Sequence, residues 1–331
     1  MILYRKTPQL RLRREAAPEA PFWALTTIAP YGPKRSAPVA IDYLTRRASG
    51  AEKLEVAICD RVRDELERAR TLHGPVLIDA AEQAEVVFRR GEEARAWCEE
   101  QELATSVLVT TPGALPPRGD LIVGTWPPDS SLFAEASGRR WGAAVPVIFP
   151  ITTELALLEQ LADEAQKHGA SFFAAISVEV EPTAKQAIAQ SRELAADDDL
   201  YATLFHSDVA PVQLATERHI AALAHERGMA DFILPPHWEE RSNWNASVLL
   251  TLTATRMIAM ELDLDLAGTL ARSARTIAEL DKPLTRIAES ASLSIVGGVD
   301  DTSVEILTTW IAGEPAPFVD WVNEQWRLRR G

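Results

Sequence analysis

Short apolar runs alternate with longer amphipathic stretches over the first 240 residues. The runs at 22–28, 54–58, 75–78, 106–110, 120–124, 143–149, 171–178, 201–205 and 231–234 have the length and side-chain content of buried strands. Between them, 61–71, 154–168, 183–195 and 216–227 read as helices. In 154–168, Leu155, Leu158, Leu161 and Ala162 fall on one stripe, and Gly169 follows as a stop. Apolar runs separated by helices predict a parallel sheet covered on both faces. Eight or so such units predict the α/β class, in the form of a TIM-like complete or partial (β/α) barrel. A doubly wound open sheet is the alternative.

Pro235-Pro236 breaks this rhythm. Beyond it the pattern is helical: 243–262 is long and apolar, 267–280 follows, and Asp281-Lys282-Pro283 restarts a helix that runs to 291. Gly297-Gly298 ends that helix, and the tail 303–330 holds Trp310, Trp321 and Trp326, read as packing residues. The expected organisation is a basic arm at 1–20, an α/β unit at 21–240 and a helical C-terminal domain at 241–331.

Composition narrows the function classes. Of 331 residues, 47% are hydrophobic and 25% charged, the balance of a globular protein. No apolar run is long enough to span a bilayer, and residues 1–20 lack the apolar core of a signal peptide, so a cytoplasmic location is expected. The net charge of −14 argues against nucleic acid as a partner. The positive charge is concentrated at the ends. Arg5, Lys6, Arg11, Arg13 and Arg14 form the N-terminal arm, and Arg327, Arg329 and Arg330 the C-terminal end. These are either solvated termini or an arm that docks on an acidic partner. Cys59 and Cys98 are too few and too far apart for a cysteine metal pattern and read as buried, reduced residues.

Parallel α/β folds bind ligands at the C-terminal ends of their strands. That rule selects Glu179 and Glu181 after 171–178, His206 and Asp208 after 201–205, His237 after 231–234, and Asp60, Asp79, Glu82 and Trp126 at earlier strand ends. Glu179, His206, Asp208 and His237 are the candidate catalytic set. They could hold a divalent ion such as Zn²⁺, Mn²⁺ or Fe²⁺, act as metal-free acid and base, or only cap loops. Thr216-Glu217-Arg218-His219 reads as a solvated helix face, and Arg139-Arg140-Trp141 as packing or a surface ion pair. No Walker loop, G-x-G-x-x-G, G-x-S-x-G or H-E-x-x-H is present.

Three segments carry a family resemblance. Pro33, Ala37 and Ala40 have the spacing of a CxxxCxxC loop after the run 22–28. Asp79-Ala80-Ala81-Glu82 ends the run 75–78 where a Gly-Gly-Glu motif would stand, and Thr110-Thr111-Pro112-Gly113 resembles a Thr-Asn-Gly turn. In this order the chain resembles the radical S-adenosylmethionine (SAM) enzymes with the cluster cysteines replaced. The resemblance implies no 4Fe–4S cluster, because such clusters are held by thiolates. It puts Asp79, Glu82 and Thr110 at cofactor-binding positions. It also implies that SAM binds weakly or not at all, since the cluster that would anchor it is missing and Ala80-Ala81 adds methyls where glycines allow close approach. The function that follows is a cluster-free pseudoenzyme acting as a substrate-binding or partner subunit. The alternative is a lyase, isomerase or hydrolase using metal-assisted or acid/base chemistry at the strand ends.

Overall fold

The computed structural model describes residues 39–42, 76–79, 105–109, 115, 120–124, 130–147, 149–150, 152–177, 199–206, 210–234, 237–278 and 280–328. Among the described residues six strands form one sheet: β1 (Val39–Asp42), β2 (Val76–Asp79), β3 (Thr105–Val109), β4 (Asp120–Gly124), β5 (Trp141–Val147) and β6 (Phe173–Ser177). Each strand pairs in parallel with the next in chain order. The helices are α1 (Ser131–Ala136), α2 (Leu155–Lys167), α3 (Asp199–His206), α4 (Ala210–Glu226), α5 (Asn243–Ala259), α6 (Leu264–Ala278), α7 (Leu284–Ser290), α8 (Asp301–Ala312) and α9 (Pro317–Leu328).

This arrangement overturns the TIM-like barrel, complete or partial. Among the described residues β6 does not pair with β1, and helical residues far outnumber strand residues. Two of the strands that would have carried the sheet onward are not strands. The run 201–205 lies inside α3, where Asp199 occupies the first turn and the Thr203 hydroxyl donates to the Asp199 carbonyl. A carboxylate there suits the helix dipole, and a five-residue apolar run has no period that separates strand from helix. The run 231–234 is no strand; only the residue before it, Ala230, makes one parallel bridge, to Phe172. Asp231 then leaves the ladder to pair with Arg256 of α5. Nor is the sheet doubly wound among the described residues, where its strand order never reverses. The expected runs 22–28 and 54–58, the helices 61–71 and 183–195, the arm and both cysteines lie outside the described residues.

The sheet's best-defined part is β4–β6. Leu121, Ile122, Val123, Ala143, Ala144 and Val145 are each no more than 1% exposed, so both faces of these strands are covered. One cluster joins them to Phe133 and Leu132 of α1, Leu158 and Leu161 of α2, and Ile220 and Leu223 of α4. The Trp141 indole packs on Phe133 at 5.0 Å between centroids, and its Nε1 donates to the His168 carbonyl. Gly142 lets the Phe172 ring pack directly on β5, because a Cβ at that position would lie 2.3 Å from it.

The helices after residue 240 surround α5, of which only Asn243 and Thr255 escape full burial. A helix that is apolar all round must sit at the centre of its unit. The Ser242 side chain caps it by accepting from the Asn245 amide. The Asn243 side chain donates to the carbonyls of Leu280 and Lys282 and accepts from the Leu284 amide, which ties the α6–α7 connection to the start of α5. Among the described residues no helix is long and apolar enough to cross a membrane.

Candidate functional site

The two edges of the sheet differ in their chemistry. At the edge where strands end, Asp42 and Asp79 are the last residues of β1 and β2 and are register partners. Two carboxylate-bearing positions therefore stand side by side where parallel sheets bind ligands. Farther along this edge the Val147 carbonyl of β5 accepts from Nε2 of Gln213, which brings α4 over the end of that strand.

Of the expected catalytic set, only His206 and His237 fall among the described residues. Glu179 and Asp208 lie outside the described residues, as do Glu82, Thr110, Asp60, Glu181 and Trp126. His206 is the last residue of α3, so the His-x-Asp strand end on which its role rested is absent. His237 belongs to the opposite edge. It has a left-handed backbone (φ 55°), its Nδ1 is 3.1 Å from Oε1 of Glu240, and its carbonyl accepts from the Asn245 side chain. Neighbouring Glu239 reaches Arg140 at 3.5 Å, and Arg140 reaches Asp120 at 3.4 Å. Asp120 opens β4 and Arg140 immediately precedes β5. His237 thus sits where strands begin, not at the rim of a pocket where they end. Burial pushes the Asp120 carboxyl above its ordinary range, against the opposing pull of Arg140 and His237. Among the described residues no three His, Cys, Asp or Glu side chains converge as a metal site.

A second polar arrangement had no clear sequence signal. Arg256 of α5, with a side chain 3% exposed, holds Oδ1 of Asp231 at 2.8 Å and donates from Nη1 to the Asn323 side chain of α9. The Trp326 ring lies between two guanidiniums, with Arg218 of α4 at 5.1 Å and Arg256 at 5.8 Å from its centroid. The expectation of a solvated face at 216–219 fails here: Thr216 and Glu217 are buried and Arg218 faces α9. Arginine-over-tryptophan packing of this kind joins helices. It locks α4, α5 and α9 to the segment that follows α4.

Pro33 and Ala37 lie outside the described residues. Ala40, expected at the end of a loop, is inside strand β1 with Leu77 as its register partner. An alanine held in a parallel ladder offers no thiolate and no free loop, so this position does not fit an iron–sulfur ligand. No family model, no curated protein and no solved structure matches the chain.

Proposed function

We propose that this chain is a pseudoenzyme, a substrate-binding or partner subunit of the cytoplasm that is similar to radical SAM proteins in its segment order but works without their cluster. The observation that supports the cluster-free part of this reading is in the sequence: Pro33, Ala37 and Ala40 hold the three ligand positions by spacing, and none carries a thiol. Reductive cleavage of SAM needs an electron from the cluster, so no step of that chemistry is assigned to the chain. What remains is recognition: a sheet edge bearing Asp42 and Asp79, and a large helical surface. The test is anaerobic reconstitution with iron and sulfide, followed by elemental analysis and SAM calorimetry. The reading expects substoichiometric iron and sulfide and no micromolar SAM binding. A brown protein with stoichiometric iron and sulfide would overturn it.

The register pairing of Asp42 with Asp79 favours a second reading, acid/base catalysis at the strand ends. In that case Asp79→Asn should abolish turnover of a substrate found by screening while leaving the thermal midpoint within a few degrees of wild type. Unchanged turnover would remove it.

A further inference from the structure

Helices α4 and α9 run beside each other and leave a groove of about 640 Å³ between the last turns of α4 and the whole length of α9. Ala222, His225 and Glu226 line one wall. The α9 wall carries Pro317, Asp320, Trp321, Glu324, Arg327 and Leu328. Pro317, Trp321, Glu324 and Leu328 fall at helical spacing on one stripe. The remaining lining residues, Asp320 and Arg327, flank it.

Three features of this groove are unusual for a finished surface. Trp321 is 44% exposed and Leu328 64%, whereas Trp326 on the inner face of the same helix is 4% exposed. Asp320 and Glu324 are like charges at i and i+4, which opposes the helix that carries them. Asp320 sits in the first turn, where a carboxylate suits the helix dipole, but Glu324 has no such compensation. Among the described residues none forms an ion pair with either. The charge opposite them on α4 is Glu226, which is 3.8 Å from Arg227, and on α9 itself Arg327 turns its Nη1 inward to Asp231 at 4.0 Å. His225 is the other nitrogen base on the rim. The balance facing outward is therefore acidic around an exposed indole.

We propose that the groove between α4 and α9 is the docking site for a basic amphipathic helix of a partner protein. A helix-in-groove contact needs apolar anchors at helical spacing, and Trp321 and Leu328 supply them along a wall about 18 Å long. Lysines or arginines flanking the partner's apolar stripe meet Asp320, Glu324 and Glu226, and one of them stacks on the Trp321 face. Tryptophan is the side chain on which such interfaces most often depend. An acidic or purely apolar partner would leave Asp320 and Glu324 uncompensated on closure, at the cost of burying charge. The inference rests on the partner-subunit reading and names the partner's chemistry. Iron and sulfide uptake tests that reading without touching the groove, so either can fail alone.

The experiment uses the full chain and a fluorescein-labelled peptide with leucines at helical spacing and lysines between them, followed by fluorescence anisotropy. Saturable binding that weakens with added salt is expected. Trp321→Ala should weaken it about tenfold. The double variant Asp320→Lys, Glu324→Lys should lose it by at least as much, and a peptide with glutamates in place of lysines should not bind. Both carboxylates are exposed, so the double variant keeps the test valid if Trp321→Ala does not fold. Three outcomes would overturn the proposal: non-saturable binding, equal affinity of wild type and the double variant, or sedimentation showing that the free chain self-associates in a Trp321-dependent manner.

Discussion

From β4 to β6 the sheet buries Leu121, Val123, Val145 and Phe173 against Phe133 and Leu158 with no charged side chain in the cluster. At the seam of α4, α5 and α9, Arg256 is 3% exposed among Asp231, Asn323 and Trp326. The sheet core could be repacked by any set of apolar residues of the right volume. The seam tolerates no such change at one position alone, because removing Arg256 or Asp231 singly leaves the other as a buried charge. The first is held by shape and the second by pairing, and the two should respond differently to substitution.

Breaking the pairing should have the largest effect. Arg256→Met leaves the Asp231 carboxylate buried with only the distant Arg327 near it, and a loss of about 3 kcal/mol is expected in urea unfolding. Adding Asp231→Leu should recover most of that loss, since an apolar pair can replace a buried ion pair at little net cost. A single variant within 1 kcal/mol of wild type by the same measurement would show that the seam is not held by this pair.

A smaller effect is expected at the cap of α8. Asp300 accepts from the amides of Thr302 and Ser303 and from the hydroxyls of Ser273 and Ser303, and so joins α6 to the start of α8. Burial alone would push its carboxyl up, but the hydrogen bonds from Ser303, Ser273 and Thr302 outweigh it and hold the carboxyl below its ordinary range. Asp300→Ala should cost about 1 kcal/mol at neutral pH. A group whose folded pKa is depressed stabilises above its unfolded value and loses that contribution as pH falls through the folded one. The gap between wild type and variant should therefore close in acid. A gap independent of pH would assign the loss to packing.

The legible parts of this fold were those in which a residue pattern has one physical solution. The run 120–124 is β4 to the residue, because an unbroken apolar stretch of that length between charged and glycine boundaries has few alternatives. The stripe of 154–168 became α2, with Gly169 beyond it in the left-handed region (φ +80°) that only glycine adopts freely. The run 201–205 went the other way for want of a period. β1 was missed because Val39–Asp42 is only four residues long and follows a proline-rich stretch. The site was less legible than the fold. His237 looked like a strand-end residue only on the premise that 231–234 is a strand. The pairing of Asp42 with Asp79 depends on register, and the exposure of Trp321 depends on which face of α9 meets the core. Neither property is local to the residues concerned.

The smallest effect separates the sheet's own charged edge from the seam. Asp120 sits beside Arg140, yet burial pushes its carboxyl above the ordinary range, the opposite of Asp300. With the folded pKa above the unfolded one, the native state binds more protons than the unfolded chain across the interval between the two. Stability from this group is complete below the unfolded value and falls as pH rises through the folded one, the reverse of the Asp300 profile. Asp120→Asn keeps the side chain's size and an oxygen for Arg140 but removes the titration. The variant should match wild type in acid and exceed it slightly at neutral pH, by less than about 1 kcal/mol. Urea unfolding at a series of pH values measures both profiles on the same axis. Parallel curves for wild type and Asp120→Asn would mean that burial does not dominate at this edge, and that Arg140 holds Asp120 as firmly as Arg256 holds Asp231.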